Sequence, residues 1–394
     1  MRALLGRLSA VALVVSAACS PTAGDTETTA SIEPSTAPVA SASPSAPAAT
    51  FPTAAFADVR EEPVPEVTAE GFQRALKEMA DGAGMAATVM SPDGTWSGAT
   101  GKADDVRDVT VDDQFTIVSV TKPVVAAQVM QMVEAGELDL DDRATDHLPA
   151  DLDFDTNGAT IRDLLGQRSG IPDYYPVVQK KISKDLQHAW MPAELLALVP
   201  ADRAPAGESF EYTDTNYLLL GLVIEQIRGR PIAEVLRDGV LRVDGTERLI
   251  YQPDEVPTEP MAMPYGGSTV VLEEGGGYLP SLAHVTSDGP GAAMASDPLS
   301  LARWWRAFCA GEIVSEASLT EMSTFDDDEY GLGLFVVADP YEQSSVGHTG
   351  SHDGYASWAG CLPEDGSVVV VLTNHVVDDI GGMAEPLVDA VRSG

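Results

Sequence analysis

Ser119 and Lys122 stand three residues apart in the run Phe115-Thr116-Ile117-Val118-Ser119-Val120-Thr121-Lys122, and no other of the chain's six lysines has a serine three positions before it. If Ser119 opens a helix, residues three apart share a face, and the Lys122 ammonium lies near the serine hydroxyl. A serine hydroxyl needs a base before it can attack a carbonyl. A lysine can be that base if burial or nearby positive charge lowers its pKa from about 10.4. The helix N-terminus would favour negative charge developing on the oxygen. Taken alone, the same four residues also describe a helix start with an exposed lysine.

Two further stretches carry candidate groups. Gly207-Glu208-Ser209-Phe210-Glu211-Tyr212-Thr213-Asp214 leads into an apolar helix, which puts Tyr212 just before a helix cap. Tyr212 is either a core tyrosine or a phenol that shuttles a proton. Gly347-His348-Thr349-Gly350-Ser351 reads as the end of a strand. There His348 and Thr349 could donate hydrogen bonds to a carboxylate, and Gly350 would admit a substrate close to the backbone. His348 and His352 have the four-residue spacing of two metal ligands on a helix. Gly347, Gly350 and Gly354 exclude a helix there, so neither a metal nor another cofactor is expected.

The elements around these groups fall into two classes. Phe72, Leu76 and Met79 give helical spacing over 66–82, followed by a strand at 85–90, a turn at Ser91-Pro92-Asp93-Gly94 and a returning strand from Thr95. Strands are read again at 330–338, 344–348, 355–362 and 367–374, with a closing helix at 382–392. Between them, 122–136, 160–166, 192–199, 215–228, 231–238 and 297–310 carry helical patterns. The fold class is therefore α+β: an antiparallel sheet flanked by N- and C-terminal helices, with a mainly helical lobe inserted. The sheet lobe takes 59–114 and 325–394, and the helical lobe 115–324.

The three motifs, in this order and on these elements, resemble the serine penicillin-recognising family, which holds class C β-lactamases, D-alanyl-D-alanine carboxypeptidases and related esterases. That family's pattern is Ser-x-x-Lys, Tyr-x-Asn, then Lys- or His-Thr-Gly. Thr160-Ile161-Arg162-Asp163-Leu164-Leu165, Ser169-Gly170-Ile171-Pro172, Asn216-Tyr217-Leu218-Leu219-Leu220-Gly221 and residues 291–308 add to the likeness, which covers roughly 66–390. The resemblance implies that Ser119 is acylated and that Lys122 and Tyr212 move the proton. It also implies that the N–H groups of Ser119 and Ser351 form the oxyanion hole, and that Asp214, His348, Thr349 and Gly350 contact substrate. Asp214 departs from the pattern, because a carboxylate cannot donate as the usual Asn does. Either it is turned away, or it is protonated, or Tyr212 takes more of the proton transfer.

The resemblance implies an extracytoplasmic serine hydrolase acting through an acyl-enzyme on a peptide or small amide, ester or β-lactam. His-Thr-Gly, in place of Lys-Thr-Gly, points to the D-alanyl-D-alanine carboxypeptidase branch. A β-lactamase or esterase and a sensor that acylates without turnover are the alternatives.

Composition narrows partners and location. With 23 basic and 61 acidic residues among 394, the net charge is −38, which repels nucleic acid and anionic lipid. Residues 1–18 read as a signal peptide: Arg2 and Arg7, an apolar run from Leu8 to Val15, then small residues. Cys19 follows at the position of a lipidated cysteine, and 19–58, rich in Ser, Thr, Ala and Pro, reads as a disordered tether to the outer face of a membrane. Export would place Cys309 and Cys361 in an oxidising space, where they either bridge or stay as two buried thiols. Spacing does not choose between these.

Overall fold

The computed structural model describes residues 50–394 except 259–260, 266–269, 273–277, 338–344, 353 and 394. The expected signal peptide, Cys19 and most of the expected tether lie outside the described residues. Residues 50–58 of that tether belong instead to the folded part. Thr53–Phe56 form a 3-10 turn, and Phe51 and Phe56 are buried in the main core. The reason is local: these two phenylalanines carry the large apolar surface that the rest of the Ser/Thr/Ala/Pro stretch lacks.

Six strands make one antiparallel sheet: β1 Met85–Ser91, β2 Gly94–Thr100, β3 Phe335–Val337, β4 Ser345–His352, β5 Tyr355–Leu362 and β6 Ser367–Thr373, in the order β2-β1-β6-β5-β4-β3. The expected strand at 330–338 is reduced to the three residues of β3. Gly331 and Gly333 turn the chain there, and Tyr330 meets Phe335 only in an isolated bridge. The unbroken run Val368-Val369-Val370-Val371-Leu372 in β6 has a simple cause, since both faces of the central strands are buried. Val369 and Val371 face a cluster with Phe72, Leu76, Trp96 and Leu387, whereas Val368, Val370 and Leu372 face the main core.

The first face is covered by α1, Glu66–Ala80, which ends at the left-handed Asp81 and Gly82. The second is covered by the helix Pro298–Cys309, where Trp304 stacks on Phe308 and Trp305 meets both edge-on, and the helix packs against the sheet. The remaining helices used below are α2 Thr121–Glu134, α3 Ile161–Leu165, α4 Asp214–Arg228, α5 Leu282–Ala292, with the Trp304 helix as α6, and α7 Glu385–Ser393, which joins α1. Each has a local cause. Thr160 and Asp163 cap α3 reciprocally, Thr213 caps α4 and Gly229 ends it, and Asp297 caps α6. The α+β expectation holds, and the helical segment between the two halves of the sheet includes three helices absent from the expectation, at Tyr175–Ile182, Leu282–Ala292 and Glu316–Met322.

Cys309 at the end of α6 and Cys361 on β5 form a disulfide with Cα atoms 6.7 Å apart. Because α6 packs on the sheet, the bridge fastens that helix to the strand beneath it. Closing a loop of 52 residues is worth about 4 kcal/mol on a chain-entropy model.

Candidate active site

Ser119 sits on a 3-10 turn, Val118–Val120, just ahead of α2, so it precedes the helix it was expected to open. Val118 is a β-branched residue at φ 50°, a sterically costly conformation directly before the candidate nucleophile. The turn is held from both sides. The Ile117 N–H donates to the Met294 carbonyl at 3.0 Å, and the Ser357 hydroxyl donates to the Ile117 carbonyl at 2.6 Å.

Lys122, in the first turn of α2, has no exposed surface. Its Nζ has three donors and three acceptors are in place: Ser119 Oγ at 3.2 Å, Asp214 Oδ1 at 2.5 Å and the Gly291 carbonyl at 3.1 Å. It also lies 4.7 Å from the centre of the Tyr212 ring and 5.4 Å from that of Tyr217. Burial alone would push the ammonium towards neutrality. Asp214 and, after it, Tyr212 outweigh burial and hold Lys122 well above the ordinary lysine range. Asp214 is therefore not turned away; it is the counter-ion of Lys122. Gly291 leaves room for that carboxylate, since a Cβ there would stand 2.8 Å from Asp214 Oδ1 and push it from its place.

Tyr212 is half-buried and interacts with both Lys122 and Ser119. Burial raises its pKa above the ordinary tyrosine value, with Lys122 pulling the other way. The loop that carries it is tied by Gln167, a buried residue in the left-handed region, whose Oε1 accepts from the Thr213 N–H and from Asn216 Nδ2.

The strand motif forms the opposite wall. Thr349 is half-buried and Ser351 is exposed on the cleft. Gly350 has a structural reason besides the expected one. A Cβ on it would lie 2.6 Å from the Ile117 carbonyl and 2.7 Å from the Ser119 nitrogen, so the missing side chain makes room for the serine turn. His348 is also corrected. Its Nδ1 lies 2.5 Å from the Thr349 carbonyl, which can only accept, so Nδ1 carries the proton and Nε2 is left an acceptor. That Nε2 is buried without a hydrogen-bond partner among the described residues. The ring packs against Phe335, with Tyr212 and Tyr330 nearby. Burial first, and repulsion from Lys122 second, push the His348 pKa down to about 3, so the imidazole is neutral and offers a carboxylate no charge and no donor. His352 stands four strand residues, about 13 Å, further along and meets different partners, so His348 and His352 share no site.

Two residues of the site had no signal in the sequence motifs, Gln167 and Asp173, and Gly291 had only its place at the head of the 291–308 stretch. Asp173 accepts the N–H of Asp214 at 3.2 Å and of Tyr175 at 3.0 Å. Its pKa is pushed up to about 6 by burial and then by repulsion from Asp214. It lies 41 residues from its partner, and only its place directly after the Ser169–Pro172 stretch could have pointed to it.

A Beta-lactamase family model matches residues 72–391. The chain belongs to this family of serine hydrolases. It is 24% identical over 295 residues to a penicillin-binding protein of Bacillus subtilis, covering 69% of this chain and 63% of that protein's length. Penicillin-binding protein 4 of Amycolatopsis lactamdurans is 27% identical over 286 residues, covering 68% of this chain and 73% of the relative. D-amino acid amidase from Ochrobactrum anthropi SV3 has the same fold, with a TM-score of 0.70 at 22% identity over 83% of this chain and 99% of that one. Among the described residues, no helix of this family member is long and apolar enough to cross a membrane.

Proposed function

We propose that the protein is a D-alanyl-D-alanine carboxypeptidase that works through a Ser119 acyl-enzyme. The observation that carries this reading is the free edge of β4. Strand β3 pairs only with Ser345–Gly347, so among the described residues no strand pairs with His348–His352 on that side. An extended peptide can add to this edge through backbone hydrogen bonds, with its scissile carbonyl beside Ser119. The N–H groups of Ser119 and Ser351 then serve as oxyanion donors.

The proton path follows from the charges. Lys122, an ammonium donating to Ser119, cannot accept the serine's proton. The reactive form has lost one proton from the Tyr212–Lys122 pair, as a phenolate beside the ammonium. Tyr212 takes the Ser119 proton as Oγ attacks and gives it to the departing amine. Water, deprotonated by Tyr212, then releases the acyl group.

One observation favours a second substrate class. His348 is neutral and the charge of Lys122 is matched by Asp214, so a terminal carboxylate gains little here. A D-amino acid amide, the substrate class named for the Ochrobactrum anthropi relative, needs no such charge. Incubation with a D-Ala-D-Ala peptide and with D-phenylalanine amide separates the two by D-alanine against ammonia release. Intact mass after penicillin treatment identifies the non-turnover sensor, which gives a lasting adduct and neither product. The expected signal peptide, Cys19 and the Ser/Thr/Ala/Pro stretch after it support a lipid-anchored enzyme outside the cytoplasm; radiolabelled palmitate incorporation that is lost in Cys19→Ala tests this.

A further inference from the structure

Beyond the hydrolase site, two of the chain's six histidines converge on one buried carboxylate. His284 and Asp288 lie four residues apart on the same face of α5, before that helix is interrupted at Gly289 and Pro290. His352 reaches them from the end of β4. His352 Nε2 is 3.0 Å and His284 Nε2 is 3.4 Å from the same oxygen, Asp288 Oδ2, and the two imidazole rings are 4.6 Å apart between centres. The side chain of Asp288 is 1% exposed, and its second oxygen, Oδ1, is buried without a hydrogen-bond partner among the described residues.

We infer that His284, Asp288 and His352 form a binding site for a divalent transition-metal ion of the Zn2+ class, joining α5 to β4 at the edge of the cleft. Zn–N and Zn–O bonds of about 2.0–2.1 Å at tetrahedral angles set neighbouring ligand atoms about 3.3 Å apart, and the two nitrogen–oxygen separations bracket that value. Imidazole nitrogens select zinc, copper, nickel and iron over magnesium and calcium. Three protein ligands leave one position for water. His352, with 9% of its side chain exposed, is the side from which the ion enters. The site differs from the two-histidine spacing of His348 and His352, because its second histidine comes from another element 68 residues away. Its place matters, since Ser351 precedes His352 and the Gly291 carbonyl that holds Lys122 lies three residues beyond Asp288.

The test uses the untagged, chelator-stripped chain and Zn2+ alone, read by calorimetry and by thermal unfolding. One equivalent is expected to bind with a micromolar or tighter Kd and to raise Tm by several degrees, whereas Ca2+ at the same concentration does neither. Asp288→Asn and His284→Gln should each weaken binding at least tenfold, and His188→Gln should bind as the parent does. Co2+ bound to the parent chain should show the visible bands of a four- or five-coordinate site, a readout independent of any variant's folding. No saturable Zn2+ binding, no Co2+ bands, or binding unchanged in both ligand variants would overturn the inference and leave a His–Asp–His hydrogen-bonded bridge.

Discussion

Lys122 and His348 are two buried basic side chains in one cleft, and their protonation states are opposite. Both lose hydration on folding, which disfavours the charged form of each. Lys122 has a carboxylate at 2.5 Å and stays an ammonium. His348 is surrounded by Phe335, Tyr212 and Tyr330, has Lys122 as its nearest influential charge, and stays neutral. Burial neutralises His348, where the nearest charge works in the same direction, and fails to neutralise Lys122, where a neighbouring carboxylate opposes it. The side of the cleft nearer the helices therefore carries a matched ion pair, and the strand side carries an uncharged wall.

The comparison is broken most completely from the helix side. Ser119→Ala should remove hydrolysis and covalent labelling altogether, and residual labelling by a fluorescent penicillin in this variant counts against the assignment. Lys122→Met should lower kcat/KM at least about a thousandfold, some 4 kcal/mol of transition-state stabilisation. It should also destabilise the fold, because Asp214 is left without its counter-ion. A variant with parental Tm would show that the pair contributes nothing to stability.

His348 tests the other half. Its folded-state pKa, about 3, lies below the ordinary value near 6.5, so its contribution to stability is complete above pH 6.5 and is lost as pH falls towards 3. Urea unfolding from pH 7 to pH 4 should cost the parent chain on the order of 3 kcal/mol more than His348→Gln. Parallel pH curves for the two proteins would mean that the imidazole titrates in the fold as it does in the unfolded chain.

Asp214→Asn sharpens the contrast by removing the pairing carboxylate. The influence holding Lys122 high and the one opposing a Tyr212 phenolate both disappear, so the acidic limb of the pH–rate profile, set by Tyr212, and the basic limb, set by Lys122, should both move to lower pH, with kcat/KM at its plateau within about tenfold of the parent. A limb that stays in place would assign the titration elsewhere. The smallest effect is expected at Asp173. Its pKa of about 6 should give a shallow inflection in the rate profile near that pH, absent in Asp173→Asn.

The site was legible where its logic is local. Ser119 and Lys122 meet because they are three residues apart at a helix start, and this survives the finding that the serine belongs to the preceding turn. The sheet was legible because strands such as 367–373 are short apolar runs bounded by turns. Helix α5 was not, since Gly289, Pro290 and Gly291 interrupt its pattern, and with it went Asp288 and the carbonyl that holds Lys122. The direction of Asp214 depends on contacts 92 residues apart, and the Cys309–Cys361 bridge depends on two Cα atoms coming within about 7 Å; neither leaves a trace in spacing. Phe51 and Phe56 were masked by the composition around them.

Gly350 has a mechanical consequence. With no side chain between β4 and the Ser119 turn, and with the Ser357 hydroxyl bonded to the Ile117 carbonyl, the turn that carries the nucleophile is fastened directly to the strand that supplies Ser351. The Ile117 N–H fastens the same turn to Met294 on the helical side. The gap between attacking oxygen and oxyanion donors is therefore set by a joint closed on both sides. A single methyl group at position 350 would act as a wedge in that joint, driving apart the two parts whose spacing the reaction cannot spare.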